Sequence, residues 1–427
     1  MFISRIDFDE AAGELHIHID STRGGRFSCP VCNKEDCSAY DTTDKVWRHL
    51  NFFQYKCYIH FRNPKVYCNK CGIHLYNPSW ARLRSGFTVL FESFILTLAR
   101  EMPIARIAKL IDEHDTRIWR VIHHHVREAY AKKDFSKLTE LGIDETSTHK
   151  EYNYISVFVD MLLHEIVFAT PGKDASTIVE FCTELLLHNG KPQNIKNVSM
   201  DMSPAFISGV KKVLPQAEIT FDKFHVIKQL NEAIDSVRRS ETHENPCLKG
   251  SKYLWLKNPG NLTASQRAKL KTLSRENRRL SKAYQMKLTL QDIYRLSTSV
   301  EAADFAIKKW LSWAVRSRLE PINQFAKMLK AHYRGVLQYF SSHLTAGPTE
   351  GLNIRIQIIK RRSKGFRNID LNLPGCFKSL HSRPSLTCPF PIKTAISRLF
   401  HVNLVPSNIR ETTPSGNPLR SRLPMIS

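Results

Sequence analysis

The chain has 427 residues, 42% of them hydrophobic, and carries 63 Lys and Arg against 40 Asp and Glu, a formal charge of +23. Such a chain buries a sizeable core and divides into two to four domains, which excludes a disordered basic tail, and its charge points to a polyanionic partner. No apolar run reaches the roughly 18–20 residues that span a bilayer, and the start, MFISRIDFDEAAGELHIHID, alternates apolar and polar residues where a secretory leader would be charged and then apolar, so the expectation is a cytoplasmic protein without membrane contact.

Four of the ten cysteines fall in two pairs, Cys29-Pro-Val-Cys32 and Cys68-Asn-Lys-Cys71, with 35 residues between the pairs. That spacing brings four thiolates to one tetrahedral zinc, and four cysteines leave no open position for a reactive water, so the ion is structural. Gly72 after Cys71 supplies the permissive residue of a tight knuckle. The remaining cysteines are scattered, which argues against a disulfide framework and for a reducing compartment. Cys37, Cys57, His60 and His74 are rival ligands; we read them as a small core residue, a strand residue and two surface histidines. Between the knuckles, VWRHLNFFQYKCYIHFRNPKVYC alternates aromatic and basic residues as paired strands of a zinc ribbon do.

After Pro78 the period lengthens. Phe87, Leu90, Phe94 and Leu98, then Ile104, Ile107, Ala108 and Ile111, then Ile118, Val121, Ile122 and Val126 mark three amphipathic helices. The second and third are joined by the short Glu113-His114 link with Asp115 as a cap, as in a helix-turn-helix, and Arg117 and Arg120 fall near the front of its recognition helix. A plain helical linker has the same pattern. The run His123-His124-His125 is read as a solvated helix face, because consecutive helical residues diverge too far to share one ion.

From Leu138 strands and helices alternate. Leu141 to Asp144 is a short strand, Tyr152 to Asp160 and His164 to Thr170 form a hairpin, and Asp174 to His188 is a helix. Ile195 to Asp201 is a strand, Pro204 to Leu214 a helix, AEITFD a strand, and a further helix starts near Lys223. The order βββαβαβα is that of an RNase H-like mixed sheet flanked by helices. Asp144, Asp201 and Glu350 each sit where a strand ends or a helix begins, and three carboxylates so placed suit a pair of divalent ions. Glu145, Asp160 and Asp222 compete for those roles; Glu145, next to Asp144 on a strand, is expected on the opposite face.

The runs GIDETS, VSMDMSPAF, FDKFHVIKQL and TEGLNIRIQIIKRRSKGFRN, together with the cysteine knuckles and the paired helices, make residues 25 to 370 resemble the DDE transposases of bacterial insertion sequences, of the ISL-three type. The resemblance implies Asp144, Asp201 and Glu350 as catalytic ligands of two Mg²⁺ or Mn²⁺ ions, with Asp222 and His225 as a supporting Asp-x-x-His element. It also implies that the first and fourth strands lie side by side. In-line phosphodiester chemistry needs one ion to activate the nucleophile and one to stabilise the leaving oxygen, and hard oxygen ligands suit both.

Between His225 and Thr345 the pattern is helical, with Thr263 and Gln266 as a capping-box pair, so an all-α insertion is expected before the last acid. The expected organisation is a zinc ribbon over 1–77, a helix-turn-helix over 78–135, an α/β catalytic core over 136–225, the insertion over 226–345, the core's final helix over 346–370, and an irregular tail over 371–427. Arg355, Lys360, Arg361, Arg362, Lys364 and Arg367 follow Glu350 as phosphate contacts. The implied function is a transposase that binds terminal inverted repeats and cleaves and joins DNA. Its partners are double-stranded end and target DNA and a second copy of itself, and its location is the bacterial nucleoid. A decayed, non-catalytic DNA-binding protein and a metal-dependent nuclease are the rival readings.

Overall fold

The structure, a computed structural model, describes residues 1–147, 154–345, 347, 351, 352 and 354. The described residues form two units, dividing after Phe94.

The first unit is a six-stranded sheet. Its strands are β1 (Phe2–Asp9), β2 (Glu14–Asp20), β3 (Arg26–Phe27), β4 (Cys37–Phe52), β5 (Tyr55–Cys68) and β6 (Gly72–Leu75), in the order β1-β2-β5-β4-β3 with β6 on β5. The aromatic and basic alternation forms the long antiparallel β4–β5 hairpin. On β5 it sends Cys57, Ile59 and Phe61 inward, each no more than 3% exposed, because alternate residues face opposite sides of a sheet. Helix α1 (Val89–Glu101) follows. Its buried face carries Phe91 and Ile95, whereas Phe94, expected inside, is 39% exposed. The segment VLFESFILTLA is apolar at too many positions for periodicity to fix its phase, and Glu92 takes an inward position held by Arg82 and Ser85.

The second unit opens with α2 (Ile104–Ile111) and α3 (Asp115–Ala131), whose buried residues include Ile107, Ile111, Ile118, Val121, Ile122 and Val126. The tight turn between them is made by Asp112 at φ 53°. The cap of α3 is His114, whose ring accepts from the Thr116 N–H; Asp115 is the first helical residue and not the cap expected.

A five-stranded sheet follows, built from β7 (Glu140–Ser147), β8 (Tyr154–Asp160), β9 (Glu165–Pro171), β10 (Asn197–Met200) and β11 (Glu218–Phe221) in the order β11-β10-β7-β8-β9. β7, β8 and β9 pair antiparallel, and β10 lies parallel between β7 and β11. The crossovers are α4 (Ser176–Leu187) and α5 (Pro204–Val213), and α6 (Lys223–Glu244) leaves β11. The order βββαβαβα is therefore observed.

The rest is helical: α7 (Lys252–Leu256), α8 (Ala264–Glu276), α9 (Arg278–Leu296), α10 (Val300–Val315), α11 (Glu320–Ala331) and α12 (Tyr333–Ser342), with the Thr263–Gln266 capping box in place. One hydrophobic core runs from Leu141, Val198 and Phe206 through Val226, Leu230 and Ile234 of α6 to Trp255, Trp310 and Leu329. The helices thus share the core of the sheet. α12 returns to it, packing on β11 at Gly335, where a Cβ would lie 2.5 Å from the Phe221 ring. Among the described residues no helix is long and apolar enough to cross a membrane.

Candidate active site and metal centre

In the first unit, Cys29, Cys32, Cys68 and Cys71 bring their sulfurs within 4.8 Å of one another. The Cys32 and Cys68 sulfurs are 3.7 Å apart, close to the roughly 3.8 Å edge of a tetrahedron with Zn–S bonds of about 2.3 Å. The knuckles prepare thiolates. The backbone N–H groups of Cys32 and Val31 lower the Cys29 pKa, and those of Lys70 and Cys71 bring Cys68 down to about 6. Sharing a proton with Cys32, together with burial, drives Cys71 up to about 12. Four crowded sulfurs cannot all ionise without a cation between them, so the donor set fits Zn²⁺. Gly72 takes φ +87°, as the tight turn requires. The rivals stand outside the cluster: Cys37 donates to the Lys34 carbonyl, Cys57 is buried in the sheet, His74 hydrogen-bonds the Cys71 carbonyl at 2.7 Å, and His60 stacks on His18.

In the second unit, strand register assembles the acids. β10 and β7 run parallel with Ser199 opposite Gly142, so two residues further Asp201 comes opposite Asp144. β10 and β11 run parallel with Met200 opposite Phe221, so the next pair is Asp201 and Asp222. Asp144 on β7, Asp201 one residue past the end of β10 and Asp222 one residue past the end of β11 thus continue one row across strands spaced about 4.8 Å apart, and the Asp222 N–H still donates to the Met200 carbonyl at 3.2 Å. β7 itself continues to Ser147, so Asp144 sits within that strand and not at its end as expected; the parallel partner is what ends there.

Charge crowding follows. Burial, offset by the Glu145 N–H and by His225 and reinforced by Asp201 and Asp222, drives the Asp144 carboxyl up to about 6. Asp222 is 1% exposed and holds the His225 Nδ1 at 3.2 Å. That bond raises the His225 pKa against the pull of burial, with Asp222, Asp144 and Asp201 adding to the rise. Asp201 accepts from the Ser203 N–H at 2.9 Å, which fixes the turn into α5.

Glu145 is half-buried, and its pKa is raised by burial first and then by Asp201, with Lys173 opposing. Alternation along β7 therefore does not remove it from the field of the acids. Asp160, the other competitor, accepts from the N–H groups of Leu162 and Leu163 and closes the β8–β9 turn.

Glu350, Arg355, Lys360, Arg361, Arg362, Lys364 and Arg367 lie outside the described residues. Just beyond Glu350, Leu352 is buried with Val157, Val159 and Ile166 of the sheet. Arg117 pairs with Glu113, and Arg120 is exposed on α3. Sequence reasoning missed a groove of about 540 Å³ that starts at Asp201 and His225 and runs between α6 and α11, with Lys228, Gln229, Glu232 and Gln324 on its walls. Lys228, Gln229 and Glu232 share one face of α6 at helical spacing and Gln324 faces them from α11, but nothing in a polar helix face tells a groove from open solvent.

A zinc ribbon, a helix-turn-helix and an α/β unit with a row of acids define a DDE transposase, an enzyme that acts on DNA. Family models match the chain in three places. One described as transposase covers residues 141–372, the helix-turn-helix domain of transposase family ISL3 covers 77–126, and the zinc-finger of transposase IS204/IS1001/IS1096/IS1165 covers 25–71. The chain belongs to the ISL3 family of transposases. It is 27% identical over 376 residues to the transposase for insertion sequence element IS1001 of Bordetella parapertussis, covering 86% of this chain and 92% of that one. It is also 27% identical to the transposase for insertion sequence element IS1557 of Mycobacterium tuberculosis, over 80% and 82% of the two chains. A simian T-cell lymphotropic virus intasome in complex with a PP2A regulatory subunit matches at 14% identity over 44% of this chain and 69% of that one, with a TM-score of 0.16.

Proposed function

We propose that this transposase recognises the terminal inverted repeats of its own element through residues 25–130, cleaves the DNA there and joins the freed 3′-hydroxyl to a target. The observation that carries the reading is the in-register row of Asp144, Asp201 and Asp222 with His225 behind it. We assign residues 136–225 and 346–370 to an RNase H-like core, 226–345 to its insertion, 78–135 to the helix-turn-helix, 1–77 to the zinc ribbon and 371–427 to a tail. The strand order supports the core assignment, since three antiparallel strands followed by two parallel ones is the arrangement of that fold. Location at the bacterial nucleoid and action as a homodimer on DNA belong to the same reading.

Asp144, Asp201 and Glu350 are assigned as ligands of two Mg²⁺ or Mn²⁺ ions. The donor set fits: adjacent carboxylates, one of them pushed up to about 6 by burial and by its neighbours, favour a dication over two bare charges. Bound there, such ions supply activation of the attacking oxygen and stabilisation of the leaving one. Asp222 is a positioning residue. It is buried and orients the His225 ring, which brings a compensating positive charge to the row when it is protonated. Arg117 and Arg120 are assigned to end DNA, and Arg355, Lys360, Arg361, Arg362, Lys364 and Arg367 to the backbone beside the cleaved bond.

The test is strand cleavage of a labelled inverted-repeat duplex with either metal. Asp144→Asn, Asp201→Asn and Glu350→Gln should each abolish cleavage and leave end binding intact, while Asp222→Asn should be milder. Full activity of Glu350→Gln would remove that residue from the site. Binding without cleavage by the unaltered chain would support the decayed-element reading.

A further inference from the structure

We propose that the edge strand β1 is the self-association surface of this chain, pairing antiparallel about a two-fold axis at Ile6 with β1 of a second copy. Among the described residues β1 ends its sheet, and one side of its backbone meets no neighbouring strand. Such an edge is a template for another strand, and proteins usually blunt it with charge or shorten it. Here it is eight residues long, with Arg5, Asp7 and Asp9 and a register shift between Ile3 and Arg5, yet it still shows Phe2, Ile3, Ile6 and Phe8 at 41%, 48%, 59% and 50% exposure. Ile6 and Phe8 continue an apolar face through Ile17 and Leu15 opposite them on β2, and the Phe8 ring meets Tyr55 at 4.4 Å.

Charge selects the occupant and the register. Backbone groups alternate in direction along a strand, so a two-fold antiparallel pairing sets a residue opposite one of the same parity. An axis at Arg5 would stack Arg5 on Arg5, and one at Asp7 would stack Asp7 on Asp7. An axis at Ile6 sets Arg5 of each copy against Asp7 of the other, twice, with Ile6 on Ile6; the regular alternation holds from Arg5 onward, beyond the register shift between Ile3 and Arg5. Arg5 and Asp7 already share a face, 2.8 Å apart within one chain, so the ion pairs of the dimer form without rotating either strand. The pairing is small against the interface that holds a stable dimer, so it is a weak contact that gains strength where DNA gathers two copies.

This deepens the proposed homodimer, and its test needs no cleavage, so its failure leaves the transposase reading standing. Sedimentation velocity of the full chain should give a concentration-dependent dimer. Arg5→Asp and Asp7→Arg should each weaken it about tenfold or more by setting like charges opposite, and the double variant should restore it. With Cys247, Cys376 and Cys388 changed to serine, Ile6→Cys should cross-link to itself on mild oxidation, since directly opposed residues reach disulfide range, whereas Phe8→Cys should not. A monomer at every concentration overturns the proposal, as does a dimer indifferent to both charge reversals. If the chain dimerises through β1 only after removal of 371–427, the tail is the occupant and the proposal is equally overturned.

Discussion

Replacing Asp144 by Asn should stabilise the metal-free protein while destroying cleavage. The folded-state pKa of Asp144 is raised from 3.8 to about 6, so the unfolded chain releases that proton at lower pH than the folded one. Its contribution to stability is therefore unfavourable above about pH 6, shrinks between 6 and 4, and disappears below. At about 1.4 kcal/mol per unit the full penalty is about 3 kcal/mol, and the partial exposure of the side chain reduces it to about 2 kcal/mol. Asn keeps the shape and removes the charge, so at pH 8 without metal the catalytic unit should melt roughly 4–8 °C higher. Saturating Mg²⁺ should stabilise the unaltered protein and leave Asp144→Asn nearly unmoved, because ligand binding raises stability only where the site exists. Scanning calorimetry at pH 5 and 8, with and without Mg²⁺, measures both. An Asp144→Asn protein less stable than the parent at pH 8 without metal would refute the argument that the carboxylate is held there against its own desolvation.

Other regions give sharper structural tests. Cys29→Ser should leave less than one zinc per chain by metal analysis and melt the first unit while the transition of the second persists, since structural zinc supplies folding free energy. Lys287 is fully buried and donates to the carbonyls of Trp255, Leu256 and Lys257; Lys287→Met should lose about 3 kcal/mol or more in urea denaturation by orphaning those carbonyls. Burial lowers the Lys287 pKa from 10.5 to about 8. The unfolded chain then holds more protons between those values, so the parent should gain stability from pH 8 to 10 through this group and Lys287→Met should lack that gain. Gly335→Ala should cost about 1–3 kcal/mol by pressing α12 off Phe221, and should slow cleavage because Phe221 immediately precedes Asp222.

Much of the catalytic unit was legible because its strands are short, apolar and bounded by turn residues. YISVFVD and NVSM declare themselves, and the helices between them carry clear amphipathic spacing. The zinc cluster was legible because ligand spacing is local. What failed was phase and extent. In α1 eight of the thirteen positions are apolar and they fall on more than one face, so Phe94 and Phe91 could not be ranked without knowing that Arg82 and Ser85 draw Glu92 inward. The end of β7 was misjudged because Thr146 is buried by pairing with β8, a partner that local sequence does not reveal. Asp222 was named beside the acids as part of the Asp-x-x-His element, but its alignment with Asp201 depends on the register of β10 with β11, which local sequence does not show.

That register ties three distant stretches of chain together at the row of acids. β7, β10 and β11 are each anchored by buried residues, Leu141, Val198 and Phe221 among them, so a one-residue slip of β10 would move Asp201 out of the row and push Val198 to the face where Ser199 now packs. The same apolar packing that stabilises the sheet therefore sets the spacing of the carboxylates. α6 extends the coupling. Its first turn carries His225 against Asp222, and its later turns bury Leu230, Ile234 and Val237 in the core shared with the helices. The helical layer is thus a brace for the histidine as well as one wall of the groove that leaves the acids, and a substitution at Leu230 or Ile234 should reach the site through His225 before it reaches the sheet.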